Sequence, residues 1–486
     1  MKSPRKHRIV LARNAFYLLL GQIVSTTLAI VLNAALGRTL GPADFGVYFL
    51  LISMSAAAYV LVDWGQSVVL IRETARRLDL AGPLLGSVLA FRVVAVSSVV
   101  VLTACFARLF GYELRIQLLA ALAIACAFPL ALSQPYGCVF RARNRMDLDA
   151  HITVWSKVMT VVATLAALAF GGRLVSVFLA QLVGGGGALA LAVFLWRRLA
   201  LQTPRPSWAV VRELWDQGTP IAFFTIAIAA QPYIDAIVLS KLTPAAVVGY
   251  YGAARNILGV LITPATILSI AAFPQMSHAA FHPIELHRIF RMALRPTLLL
   301  GALAAVGCYL FGNFAVDLIY GASHFRPSVE VLEFYAPVFF ILFFNMLLGN
   351  VVFAIRRTRE MAFAKLGNIL VSTILALFLV PAFQARWDNG GLGIVVATGA
   401  GELLMLIFFA AVLPPGTLDK RTLLDAARAL LASFGTLALF WLLPPFSPWL
   451  GIPLCIIVFG LLALSVGLVS RAELTVFSDF FNESER

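Results

Sequence analysis

The sequence predicts an all-α polytopic membrane protein of about 14 transmembrane helices, in two six-helix lobes related by a pseudo-two-fold axis along the membrane normal, plus two C-terminal helices. Three observations lead there. Of 486 residues 61% are hydrophobic and 12% charged, about half the charged share of an ordinary soluble domain, and mean hydropathy is +0.92. Apolar runs of about 20 residues, the length that crosses a bilayer, recur along the chain. Finally, LGPADFGVY at 40–48 returns as LTPAAVVGYY at 242–251. Leu40 and Leu242 are 202 residues apart, as are Pro42 and Pro244, while Gly46 and Gly249 are 203 apart through one inserted residue. Duplication of a transmembrane bundle is how many transporters are built.

Taken in order, the runs lie near 15–36, 46–64, 84–107, 116–139, 152–170, 174–196, 219–240, 246–273, 292–312, 332–355, 362–383, 391–413, 423–443 and 449–470. The first follows a basic start, MKSPRKHRIVLARN, that imitates a signal peptide, but its length is nearer a transmembrane span than a signal core, so it reads as an uncleaved first helix. Six spans precede the second copy of the repeat, which gives both copies one orientation and places a cavity between two lobes. The division expected is 1–200 for the first lobe, 201–417 for the second, and 418–486 for two additional helices and a cytoplasmic tail. At the join, TPRP (Thr203–Pro206) leads into SWAVVRELWDQG, where Trp208, Val211, Leu214 and Trp215 make an apolar stripe; a short interfacial helix is expected there. The longest connections, around 197–218, 274–291 and 313–331, are too short to hold a soluble domain, so any chemistry belongs inside the bundle.

Orientation follows from the 37 lysines and arginines. With the amino terminus inside, 28 fall on inner segments and 7 on outer loops, with Arg92 and Arg255 inside spans; a four-to-one bias fixes both termini on the cytoplasmic side. The same bias accounts for the formal net charge of +14 without nucleic acid, and the clusters Arg141, Arg143, Arg145 and Arg356, Arg357, Arg359 lack the interleaved aromatics of a single-strand groove. Cys105, Cys126, Cys138, Cys308 and Cys455 stand singly without ligand spacing, so neither a disulfide nor zinc is expected. Asp147 and Asp149 have DxD spacing but no catalytic domain around them. His278, His282 and His287 do not have metalloprotease spacing. The run Gly184–Gly187 lacks the lysine of a phosphate loop and reads as close helix packing. No ATP-binding motif occurs and no cofactor or metal is expected, which leaves an ion gradient or the cargo's own gradient to drive transport.

RTLGPADFGVY at 38–48, DWGQSVVLIRETAR at 63–76, FRARNRM at 140–146, YIDAIVLSKL and VGYYGAARNI within 233–257, FPQMS at 273–277 and IYGASHF at 319–325 resemble the polysaccharide transporter (Wzx-like oligosaccharide flippase) family of the multidrug/oligosaccharidyl-lipid/polysaccharide exporter superfamily. The resemblance covers about residues 10–410 and rests on the order of these motifs in both halves. It implies a flippase that moves a polyprenyl-diphosphate-linked oligosaccharide repeat unit from the inner to the outer leaflet of a bacterial inner membrane by alternating access. The polymer it serves would be an O-antigen, a capsule or an exopolysaccharide; the partners implied are membrane lipids, a polysaccharide polymerase, glycosyltransferases, and a proton or sodium ion. The superfamily also holds drug/cation antiporters and lipid II flippases. From a different class, a membrane-embedded sugar transferase or polymerase would need a catalytic acid or base beside a sizeable outer loop.

Ionisable groups in hydrocarbon cost about 2.5–3.5 kcal/mol on insertion scales, so those that remain are expected at a cavity or in pairs. Glu402, eleven residues into the twelfth span, is the expected ion-coupling residue, with Asp235 in the seventh span as the second. Gly252, Arg255, Asn256 and Gly259 share one face of the eighth span, so Arg255 and Asn256 are cavity candidates, with an Asp235–Arg255 ion pair as the structural alternative. Arg92, deep in the third span, with Arg13 and Arg38 at the two ends of the first, would give a diphosphate successive guanidinium contacts, since arginine recognises phosphate oxygens bidentately. Asp63, placed at the outer end of the second span, reads as a helix-end residue.

Overall fold

The computed structural model describes residues 4–468 except 230, 322–323, 415–416 and 445; side chains of 4–19, 224, 227–229 and 283 are outside that description. Arg13 and the expected cytoplasmic tail therefore lie outside the described side chains and residues.

Every regular element among the described residues is helical: α1 (Pro4–Asp63), α2 (Gln66–Arg76), a 3₁₀ turn (Leu78–Leu80), α3 (Ala81–Leu109), α4 (Leu114–Ala142), α5 (Met146–Ala169), α6 (Leu174–Arg198), α7 (Trp208–Ala229), α8 (Gln231–Leu242), α9 (Ala245–Ala279), α10 (Pro283–Tyr320), α11 (Pro327–Ala354), α12 (Thr358–Trp387), α13 (Gly391–Val412), α14 (Lys420–Leu442) and α15 (Pro448–Ser465). Helices satisfy all their backbone groups internally, which hydrocarbon demands. Among the described residues twelve helices are long and apolar enough to cross a membrane. The count reaches fourteen because α1 is two rods in one and because α7 and α8 together make another span. At the break in α1, Gly41 adopts φ 72, ψ 173, a conformation open to glycine at little steric cost. Pro42 follows, pre-set for the first turn of the second rod.

The chain folds as two compact units, Met1–Gly252 and Ala253–Arg486. The boundary between them falls within α9, whereas the sequence repeat places it near 200.

Within each unit, contacts between loops agree with the alternation of inside and outside. In the first unit, Arg115 lies 3.7 Å from Asp44 and Tyr112 shares a hydrogen bond with Ser240 at 2.6 Å; all come from loops assigned to the outer side. Inner loops meet at the other end, where Arg77 pairs with Glu213 at 3.2 Å and Ser207 N–H donates to Ser87 Oγ at 3.0 Å. In the second unit, Asn389 donates to Glu330 at 3.0 Å on the outer side, and Arg291 reaches Asp419 at 3.4 Å on the inner. A one-span error inside either unit would bring opposite ends together.

Two elements depart from expectation. The join does not form a separate interfacial helix: the stripe from Trp208 is the opening of the 22-residue α7. Leu214 is buried within it, and Trp215 stacks on Trp64 with centroids 4.9 Å apart. The reason is packing, since Trp64 also donates from Nε1 to Thr219 at 3.1 Å, fixing α7 to the first unit. Between the second and third spans lies the amphipathic α2, whose buried Glu73 gathers Arg72, Arg76 and Arg77 within 3.4 Å. Large side chains on the outer face of the bundle, such as Leu102, Phe378 and Ile457, are more than half exposed, as a lipid-facing surface requires.

Candidate functional site

Two buried polar clusters interrupt the apolar packing, one in each unit. In the first, the Arg92 side chain is wholly buried on α3 and makes four hydrogen bonds. Nη1 donates to Ala131 O at 2.6 Å and to Tyr59 Oη at 3.3 Å; Nη2 donates to Ser67 Oγ at 3.0 Å and to the carboxylate of Asp63. Ser67 donates to that carboxylate as well, and Tyr59 Oη donates to Gln134 Oε1 at 2.7 Å. The cluster thus ties α1, α3, α4 and the start of α2 together. Only Arg92 Nε stays buried without a partner. Asp63 closes the second rod of α1 beside Arg92, so in the orientation expected from the basic residues it falls at the inner end of that span rather than the outer end. A buried ion pair of this kind is far more costly to break than to replace.

In the second unit, Glu402 on α13 is 1% exposed, enclosed by α11 and α12. Asn345 Nδ2 donates to its Oε2 and its backbone carbonyl, both at 2.8 Å, and Asn368 Nδ2 donates to Oε1 at 3.0 Å. Lys365 Nζ stands 3.7 Å from Oε1. Two neighbouring acceptors, Asn345 Oδ1 and Thr398 Oγ1, are buried without partners. Gly401 is required here because a Cβ would stand 3.2 Å from the side-chain carbon of Asn368 and press harder on its oxygen. Two amides on neighbouring helices thus hold the Glu402 side chain inside an apolar bundle, with Lys365 beside it.

The other candidates are dispersed. Asp235 is buried on α8 and accepts from Tyr251 at 3.3 Å. Arg255 and Asn256 are half-buried on α9, and neither stands free. Asp235 belongs to the first unit and Arg255 to the second, so their pairing stays an expectation. On α9, Ile257 and Leu258 are buried while Gly259 opens to free space. Arg38 is exposed near the end of the first rod of α1.

The first unit also holds an apolar recess of about 590 Å³, lined by Met54, Leu61, Leu102, Phe106 and Ile237 among others. Sequence reasoning missed Lys365, Asn345 and Asn368. Lys365 and Asn368 stand three apart on one face of α12, and that spacing was the available signal.

A chain of the archaeon Haloferax volcanii named "Probable low-salt glycan biosynthesis flippase Agl15" is 19% identical over 394 residues, 80% of each chain. Among solved structures, the lipid II flippase MurJ in an inward closed conformation matches with a TM-score of 0.70 at 13% identity, covering 96% of this chain and all of the other. A multidrug resistance MATE family transporter of the MOP superfamily, inward-facing, matches with a TM-score of 0.65 at 13% identity, over 82% of this chain and 97% of the other. These likenesses establish the fold of that superfamily. The model of the family described as "Polysaccharide biosynthesis protein" matches residues 11–280, more than half of the sequence, and the chain belongs to that family.

Proposed function

We propose that this protein is a flippase that carries a polyprenyl-diphosphate-linked oligosaccharide from the inner to the outer leaflet of a bacterial inner membrane, by alternating access, for polysaccharide assembly. The observation that carries the reading is the family match over residues 11–280, which turns a transporter fold toward glycan cargo. The Haloferax relative, named for a glycan biosynthesis flippase, supports the same choice.

In this reading Arg255, Arg38 and Arg13 contact the diphosphate, with Asn256 beside Arg255. Arg92 joins them in this reading as a further diphosphate contact, its charge otherwise balanced by Asp63. Glu402 couples transport to an ion, with Asp235 as the second coupling group. Protonation of Glu402 would remove its negative charge from beside Lys365, and that change in local charge favours one conformation over another. Flipping an anionic headgroup outward is helped by an inside-negative potential at about 2.3 kcal/mol per charge per 100 mV. Ion coupling is therefore most useful in returning the empty carrier.

The test is flipping of a short-chain polyprenyl-diphosphate sugar by the full chain in proteoliposomes. Wild type should flip it, Arg255→Ala should abolish flipping with protein still in the bilayer, and Arg255→Lys should restore part, since an ammonium lacks the bidentate geometry. Glu402→Gln should bind cargo, turn over slowly and lose its dependence on external pH. No flipping by wild type, or wild-type rates in Arg255→Ala, defeats the cargo assignment; unchanged pH dependence in Glu402→Gln defeats the coupling role.

A further inference from the structure

The first turns of α10 carry a feature the transport reading does not use. Ile284, His287, Arg288, Arg291, Met292 and Arg295 line a surface recess of about 430 Å³. Their spacing, i, i+3, i+4, i+7, i+8, i+11, is that of one helix face. Two carboxylates from the start of α14 reach this face. Asp419 lies 3.4 Å from Arg291 and 3.5 Å from His287; Asp425 lies 3.1 Å from Arg295 and 3.2 Å from Arg428. Three guanidinium groups and one imidazole therefore meet two carboxylates, and Lys420 and Arg421 open α14 alongside. Among the described residues two donors remain unmatched: Arg288 is exposed with no partner, and Arg291 Nε is buried without an acceptor. At the recess, Ile284 is 90% and Met292 66% exposed, an apolar rim around a basic centre. The excess of lysine and arginine places this end of α10 on the cytoplasmic side.

We propose that this recess binds the phosphate of an anionic phospholipid from the inner leaflet. A phosphodiester supplies the acceptor oxygens that Arg288 and Arg291 lack, in the geometry guanidinium groups prefer. Basic pockets on the cytoplasmic side of helical bundles suit such headgroups. The rim decides between a lipid and a soluble anion: Ile284 and Met292 gain from contact with glycerol and acyl carbons and gain nothing from free phosphate in water. Occupancy would hold α10 to α14 by a third anion beside Asp419 and Asp425.

The test uses the full chain in nanodiscs of phosphatidylcholine with phosphatidylglycerol added, read by native mass spectrometry. Phosphatidylglycerol should be retained in preference to phosphatidylcholine, and millimolar inorganic phosphate should not displace it. At about 1 kcal/mol per arginine near an anionic surface, Arg288→Gln should weaken retention about fivefold and Arg288→Gln with Arg291→Gln about thirty-fold. Arg288→Gln breaks no ion pair, so its loss would not reflect unfolding. Equal retention of the two lipids, or phosphatidylglycerol retention unchanged in the double variant, overturns the proposal. Displacement by inorganic phosphate overturns it in favour of a soluble anion, and displacement by a short-chain polyprenyl diphosphate in favour of cargo.

Discussion

Gly249→Ala tests whether the two copies of the repeated motif touch at backbone distance. Gly46 and Gly249, equivalent in the repeat, face each other: a Cβ at 46 would stand 2.7 Å from Gly249 N, and one at 249 would stand 3.2 Å from Gly46 N and 3.0 Å from Pro42 C, nearer still to its oxygen. Ordinary contact begins at 3.4 Å, so α9 and the second rod of α1 must part by at least the 0.7 Å shortfall at Gly46. Every obstacle there is backbone, which cannot rotate away, so the cost sits at the upper end of the overpacking range, about 3 kcal/mol. Removing a helical glycine returns about 0.5–1 kcal/mol, leaving a net loss of roughly 2 kcal/mol for either single alanine. One separation relieves both sites, so the double variant should lose much less than twice that amount. Gly259→Ala, on the same helix but with open space around its Cβ position, is the control and should gain slightly. The assay is denaturant unfolding of purified protein in micelles, followed by tryptophan fluorescence. Wild-type stability in Gly249→Ala, or strictly additive losses, would refute the claim that the two motifs are in backbone contact.

Arg92→Ala should destabilise the first unit by about 3–5 kcal/mol, because it strands the Asp63 carboxylate; Arg92→Ala with Asp63→Ala should recover a large part, measured by the same unfolding assay. Reporter fusions after Arg326 and Arg386 should read outside, and those after Arg205 and Arg357 inside; one reversed assignment breaks the fourteen-span topology. Asp419 gives a pH dependence. Burial tends to raise its pKa, but hydrogen bonds from the Thr422 backbone and side chain, with Arg291 and His287 nearby, leave it below the usual carboxylate value. A lowered folded-state pKa stabilises above the ordinary value and loses that contribution as pH falls through the lowered one. Loosening of the α10–α14 junction should therefore set in on the acid side and be absent in Asp419→Asn, as followed by hydrogen exchange.

The spans were legible because hydrocarbon leaves a chain few options, and even the count of fourteen is recovered once α1 is divided at Gly41 and α7 joined with α8. The repeat was legible too, down to the residues: Pro42 and Gly249 meet because the copies pack on each other. Helix α2 escaped notice because its 11 residues carry both Glu73 and two arginines, which read as a charged loop until the glutamate is seen at the centre of an ion-pair cluster. Site reasoning found Arg92, Asp235, Arg255 and Glu402 in the spans and missed most of what answers them, Lys365 included. Arg92 stood out through its charge, while Asp63, Ser67 and Tyr59 come from other elements and have no fixed offset from it. Likewise Glu402 was visible, whereas Asn345 sits in the run FFNMLL on another helix; amides are cheap enough in a membrane span to raise no flag. Sequence exposes the cost of a buried charge, and only the fold shows what meets it.

The single residue at the break in α1 has a mechanical consequence. With only the φ and ψ of Gly41 separating two spans, there is no slack for one to slide along its neighbour, since neither end of the junction can lengthen. Relative movement there reduces to rotation about two bonds next to a proline ring that fixes the following φ. Any rearrangement that tilts the first span must pivot it about its Gly41 end, so its opposite end travels farthest.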